Sequence, residues 1–312
     1  MNTRARKRLA ISLLALLLVA VAHSGQKEQQ PKFGVRVNLV SLDVEVLDPV
    51  GKPVLGLEKT DFAVSENGKA MEVSNFAWLS DRPVSLAMVL DTSAISAEKL
   101  TVCKTFLRVL AHVLGRSDDL CLYTFDTRDA YLEQEFTSSR PLIMDALENI
   151  GVPAGGSGGI LRELFGRTPP TGLAIDLALK KLQAASNGRK ALLLVSNRFR
   201  GLGPATVDHV RQSGCTLLTL GFDNKAALLI TLGGDKISRN QLMKESGGRQ
   251  FSAETPDIPE VCRQIAFSLK NYYALGYLTE ITDGDTKARH IDVRIPGRDV
   301  VVHFRRSFQP ER

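Results

Sequence analysis

Residues 35–47 alternate apolar and polar side chains over most of their length, the period of a strand with one wet face. Asp48-Pro49-Val50-Gly51 is a turn, and short apolar stretches at 54–57 and 61–65 continue the β character to about Trp78. Between them Asn67-Gly68 supplies the positive φ that a two-residue hairpin needs. From Val84 the pattern changes. Residues 84–90, 120–125, 191–195 and 215–220 are continuous apolar runs, whereas 97–114, 140–150, 171–185, 205–212, 239–245 and 259–270 carry apolar residues at helical spacing. Strands apolar on both faces, separated by helices, predict an α/β domain with a doubly wound, mostly parallel sheet. Beyond Asn271 β character returns at 272–279, 290–295 and 300–304, joined by turns at Asp283-Gly284-Asp285 and Pro296-Gly297. Each flank has about 45 residues, too few to close a core comfortably alone. The flanks are therefore expected to pair as one small β-sandwich, with the α/β domain inserted in it or beside it.

The chain has 312 residues, 44% hydrophobic and 24% charged, which fits a globular protein and excludes bulk disorder or a polytopic membrane protein. Its N-terminus is different. Arg4, Arg6, Lys7 and Arg8 precede an apolar run from Leu9 to Ala22, which ends in Ala22-His23-Ser24. A basic segment, a short apolar one and a small-x-small site describe a secretory signal, too short to favour a spanning helix. The expected organisation is a signal at 1–24, a linker at 25–33, an N-terminal β module at 34–80, an α/β domain at 83–270 and a C-terminal β segment at 271–312. The protein is then exported to the periplasm, the cell envelope or the medium, and touches a membrane only where the signal stays uncleaved.

Export alters the charge. Of 40 basic residues four leave with the signal, so 36 face 34 acidic ones, and the net charge falls from +6 to +2. No basic cluster remains to suggest nucleic acid. The four cysteines, Cys103, Cys121, Cys215 and Cys262, show no C-x-x-C spacing, which removes the minimal signature of structural zinc or thioredoxin-like redox chemistry. Cys121 and Cys215 begin apolar strands and read as inert buried thiols.

Ligands of an open parallel sheet bind at the carboxyl ends of its strands. The first α/β strand ends in Asp91-Thr92-Ser93-Ala94-Ile95-Ser96, an acid and hydroxyls in a loop before a helix. Two readings are open: hard oxygen ligands for Mg²⁺ or another divalent cation, or a helix cap with Asp91 accepting backbone N–H bonds.

Here the sequence resembles a von Willebrand factor A domain. That family opens its metal-ion-dependent adhesion site with Asp-x-Ser-x-Ser, adds a Thr from a later loop and completes it after the fourth strand. Asp91 and Ser93 match the opening, and Thr171 in Thr171-Gly172-Leu173 matches the Thr. Ile95 replaces the second Ser, and Ser196-Asn197-Arg198 stands where Thr-Asp-Gly is usual. The resemblance thus implies a degenerate site of Asp91, Ser93, Thr171 and Asn197, with one carboxylate instead of two. The flanks, with Ser65-Glu66-Asn67-Gly68 and Tyr272 to Tyr277, resemble acidobacterial-type VWFA-related domain proteins. The family implies a protein-binding, adhesion-type module; a structural component of the envelope is the alternative. In the A-domain arrangement Cys103 and Cys262 lie on neighbouring helices, which implies a disulfide between them.

Enzyme readings lack support. Gly155-Gly156-Ser157-Gly158-Gly159 satisfies G-x-S-x-G, yet Val152-Pro153-Ala154 before it is no buried strand, so a flexible connection is expected. His112, His209, His290 and His303 fall in helices or terminal strands, away from the strand ends. The glycine runs at 155–159 and 233–234 lack the spacing of phosphate-binding loops. No catalytic residue is predicted.

Overall fold

A computed structural model of the chain describes residues 35–93, 95–151, 170–196, 202–222, 239–282 and 284–310. The signal and linker, the Gly155–Gly159 loop, Asn197, Arg198 and the 233–234 glycines lie outside the described residues.

The α/β domain is built on a six-stranded sheet of order β10-β9-β8-β5-β6-β7. Its strands are β5 (Val84–Asp91), β6 (Asp119–Phe125), β7 (Ala130–Thr137), β8 (Arg189–Val195), β9 (Thr216–Gly221) and β10 (Gln250–Ser252). All pairings are parallel except β6 with β7. Every residue of β5 is buried, as its unbroken apolar run requires. Leu86, Met88 and Leu90 meet α1 (Ala97–Val113), α2 (Arg140–Asn149) and α6 (Ile258–Lys270) on one face. Ala87 and Val89 meet α3 (Pro170–Gln183), α4 (Pro204–Ser213) and α5 (Arg239–Ser246) on the other. A fully buried leucine in either layer contributes about 1.5–3 kcal/mol.

Strands β7 and β10 have no counterpart in the sequence reading. β7 is an edge strand whose Glu133 and Glu135 face solvent, so it shows no apolar run, and β10 has only three residues.

The flanks form two four-stranded sheets, β13-β1-β11-β4 and β14-β12-β2-β3, with apolar residues packed between them. The first contains β1 (Val35–Leu47), β4 (Val73–Leu79), β11 (Tyr272–Thr282) and β13 (Val301–His303). The second contains β2 (Ala63–Glu66), β3 (Lys69–Met71), β12 (Arg289–Arg294) and β14 (Ser307–Phe308). β1 and β11 pair antiparallel from Val35↔Thr282 to Val44↔Tyr273, so the two ends of the described chain close one core. Residues 54–57 form no strand of this sandwich. They are pinned instead by the Tyr273 hydroxyl, which donates to the Val54 carbonyl at 3.0 Å and accepts the Leu57 N–H at 3.1 Å. Buried Glu66 accepts from Tyr277 at 2.9 Å, Thr279 at 2.7 Å and Arg289 at 2.7 Å, which leaves the carboxylate satisfied.

The chain passes from sandwich to α/β domain and back at one place. The Arg82 N–H donates to the Lys270 carbonyl at 3.1 Å, and the Asp81 N–H to Asn271 Oδ1 at 3.2 Å. Beneath them the carboxylate of fully buried Asp118 accepts the N–H groups of Val84 at 2.9 Å and Gly115 at 2.6 Å and the Lys270 ammonium at 3.1 Å. Burial pulls the Lys270 pKa down, but Asp81 and Asp118 outweigh it and the net direction is up. Lys270 therefore stays charged through the neutral range.

Ion pairs also cross the seam. Arg249 binds Glu45 at 2.9 Å, Arg189 binds Asp43 and stacks 4.4 Å from the Tyr272 ring centroid, and Ser307 donates to Glu245 at 2.8 Å. Burial raises the Glu45 pKa against the pull of Arg249.

His303 lies beside the same seam. Burial, with the charges of Arg249 and Arg306, pushes its pKa down from 6.5 to about 4. The folded imidazole resists protonation, so its contribution to stability is complete above pH 6.5 and is lost as pH falls toward 4. The protein should lose about 2 kcal/mol through this group between pH 6.5 and pH 5. Urea titrations at both pH values should show that loss in the wild type and not in His303→Gln.

The thiols of Cys103 and Cys262 are free, which corrects the disulfide expected between them. Both are buried in the apolar layer where α1 meets α6, and the Cys262 thiol donates to the Phe106 carbonyl at 3.5 Å. Burial pushes both pKa values up to about 12, far from nucleophilic. Cys121 and Cys215 are buried thiols as well.

Candidate functional site

The carboxyl edge of the parallel sheet collects buried polar side chains. Asp91, Thr92, Thr124, Asp126, Thr171 and Ser196 are each less than a tenth exposed. β5 places Asp91 there because it lies centrally, with Leu90 opposite Val195 of β8 and Asp91 opposite Phe125 of β6. The next residue is tied back, since both the N–H and the hydroxyl of Thr92 donate to the Phe125 carbonyl, at 2.9 and 3.0 Å.

Asp91 has a full set of protein partners. Its Oδ1 accepts the Ser93 N–H at 2.9 Å and the Ser93 hydroxyl at 2.5 Å, closing a tight Asx turn. Its Oδ2 accepts the Ser196 hydroxyl at 2.7 Å. Ser196 is held in turn by its N–H, which donates to the Leu220 carbonyl at 3.1 Å. Ser96 caps α1, with its Oγ accepting the Lys99 N–H at 3.3 Å, and Ile95 is buried in the core beneath the loop. Thr171 sits in the first turn of α3. That helix leads directly into β8 and so runs antiparallel to the sheet, which brings its N-terminus to the edge that holds Asp91.

The structure thus joins Asp91 to Ser93 and puts Thr171 on the same rim. The partner that crosses from β8 is Ser196, which the sequence reading placed beside Asn197 without giving it a role. A signal was present: parallel neighbours in register put the residue after Val195 beside the residue after Leu90. Asp126 was also missed. It lies one residue past β6, where its carboxylate accepts the N–H groups of Arg128 at 2.7 Å and Asp129 at 3.0 Å and the Arg128 guanidinium at 3.2 Å. Burial works to raise its pKa, but those donors prevail and hold it below the usual carboxylate value.

The described donors can be tested against a divalent cation. Mg²⁺ and Ca²⁺ take six or more oxygens, Mg²⁺ through one or two free carboxylates together with several waters. Of the two carboxylates here, Asp91 is bonded at both oxygens and Asp126 is folded into its own turn with Arg128. Ile95 offers no donor, and no three acid, histidine or cysteine side chains gather anywhere among the described residues. The described set does not fit a resident divalent cation.

Elsewhere, His209 Nδ1 lies 3.0 Å from Asp176, which also accepts the Thr206 hydroxyl at 3.0 Å. This pair clamps α3 to α4 partway along their length and lies away from the strand ends.

No family model matches the sequence, and no curated protein matches it. Solved structures similar to the chain include an aerotolerance-related membrane protein from Bacteroides fragilis, at 18% identity and a TM-score of 0.42, covering 60% of this chain and 98% of that one. A von Willebrand factor type A structure from Catenulispora acidiphila gives 12% identity and a TM-score of 0.44, covering 91% and 74%. The vWF domain of the pilus tip protein Mfa5 from Porphyromonas gingivalis gives 10% and 0.42, covering 60% and 94%. The chain's own topology sets the conclusion: a parallel sheet with β5 at its centre, one antiparallel edge strand beyond β6, helices on both faces and an acid–hydroxyl turn closing β5 give residues 84–270 the fold of a von Willebrand factor A domain.

Proposed function

We propose that the protein is an exported, non-enzymatic interaction module that holds a protein partner at the carboxyl rim of its A-like domain. The sandwich serves as its base, and no divalent cation is needed. The observation that carries this reading is Asp91, a central-strand carboxylate kept at the rim by the hydroxyls of Ser93 and Ser196, where this architecture places its ligands. Hydroxyl donors do for the carboxylate what a metal would otherwise do, offsetting its burial and fixing its orientation.

The test is partner capture by chemical cross-linking of the exported protein in its own envelope, with wild type, Asp91→Asn and wild type in chelator. Asp91→Asn keeps the shape of the turn, so the melting temperature should move by less than about 3 °C while capture falls at least about tenfold. Chelator should leave capture unchanged. Capture lost in chelator would return the site to a metal. Capture indifferent to Asp91→Asn would move the contact to the β flanks, as expected of a structural component of the envelope.

A further inference from the structure

β1 has an open edge. β11 covers one side of it from Val35 to Val44, but on the other side β13 reaches only Glu45 to Leu47. The Ser41 carbonyl, which accepts the Arg305 guanidinium at 3.1 Å, points to that uncovered side. Backbone directions alternate along a strand, so the N–H and C=O groups of Val35, Val37 and Leu39 point there too. Among the described residues no hydrogen-bond partner meets them.

The outer face beside this edge carries apolar residues around one acid, Glu280, which lies exposed in register with Val37. Val37 is 62% exposed and Leu39 52%, and Leu39 lies in register with Leu278, which is 54% exposed. Soluble proteins blunt such edges with Lys, Pro or a bulge. Residues 35–39 contain no Lys or Pro and a single charge, Arg36, and their pairing with β11 is regular.

We propose that two copies of the protein pair antiparallel along residues 35–39, with Val37 on the two-fold axis, joining their sandwiches into one continuous sheet. In this register 35, 37 and 39 of one copy meet 39, 37 and 35 of the other. Each of these residues then exchanges its outward N–H and C=O with its opposite. The pairing stops short of Ser41, whose carbonyl Arg305 already occupies. It also sets Leu39 and Leu278 of each copy beside the central Val37 pair, with Glu280 flanking that pair at either end. The other candidate occupant is the chain's own segment at 26–33, but Gln26-Lys27-Glu28-Gln29-Gln30-Pro31-Lys32 is polar and contains a proline, a poor strand. An identical strand is the better match, and identical strands pairing antiparallel generate a closed two-fold dimer.

Sedimentation equilibrium of the purified protein at about 100 µM, a concentration suited to a small and therefore weak interface, should show a dimer. Val37→Lys, at an exposed side chain, should keep its circular dichroism and sediment as a monomer. Val37→Cys should form a disulfide-linked dimer with oxidised glutathione, whereas Leu39→Cys, displaced from the axis, should not. The four native thiols are buried and do not compete. A monomeric wild type at that concentration, or a dimer indifferent to Val37→Lys, overturns the proposal. A dimer that forms only after residues 25–34 are deleted gives the edge to the chain's own segment and overturns it equally.

Discussion

Asp118→Ala should lower the unfolding free energy by about 4 kcal/mol, the largest loss expected from a single side chain here. Asp118 is fully buried, and its carboxylate accepts two backbone N–H groups and the Lys270 ammonium. Truncation leaves the Val84 and Gly115 N–H groups without an acceptor and Lys270 with only the exposed Asp81. The cost is that of a buried charge left with one solvent-screened partner, added to orphaned donors, well above the worth of the ion pair itself. Asp118→Asn keeps one acceptor oxygen and should cost about half as much. Urea unfolding of the two variants checks both values. Equal losses would show that the carboxylate charge carries the whole effect and that the retained shape and acceptor contribute nothing. The damage should spread, because this carboxylate lies under both chain crossings and ties the start of β5 to the end of α6.

Gly248→Ala comes next, at about 3–4 kcal/mol for one methyl group. A Cβ at this position would lie 1.7 Å from the Leu217 carbonyl oxygen and 2.7 Å from its carbon. These are backbone atoms of β9, inside the sheet, and cannot swing aside as a side-chain tip would. Gly247 is constrained on its other side, since its φ is +71° and a Cβ would lie 2.6 Å from Arg305 N. Together the two glycines let the chain leave α5 and enter β10 between the sheet and the C-terminal tail. Thermal melting of Gly248→Ala should show a drop of roughly 10 °C or more, or no folded protein. A shift within about 2 °C would mean that the backbone there yields more easily than its packing indicates.

Burial on both faces is what made the α/β domain legible. β5, β6, β8 and β9 read as unbroken apolar runs because the helices on each side leave them no wet face. α1 and α6 read at helical spacing for the complementary reason, since only one side of each is covered. β7 escaped notice because an edge strand at the surface carries Glu133, Gln134 and Glu135 in succession. At the rim, Asp91 was visible because an acid that ends an apolar run violates the pattern around it. Ser196 was not: a serine after a strand is ordinary in composition, and only its register beside β5 gives it a partner. Asp118 and Asp126 lie in loops where acids are common. Their roles depend on which distant N–H groups fold onto them, which no local period records.

The adjacent crossings at the base of the domain have one more consequence. Leu79 and Tyr272 lie directly opposite each other on antiparallel neighbours, although the whole α/β domain separates them along the chain. Replacing residues 80–271 by a two-residue Asn-Gly link would make those strands an ordinary hairpin, and would uncover the Asp43 and Glu45 carboxylates that Arg189 and Arg249 now meet. The larger unit is thus an insertion between two neighbouring strands, leaving the hydrogen-bonded order of the sandwich uninterrupted while bracing it through the pairs at the seam.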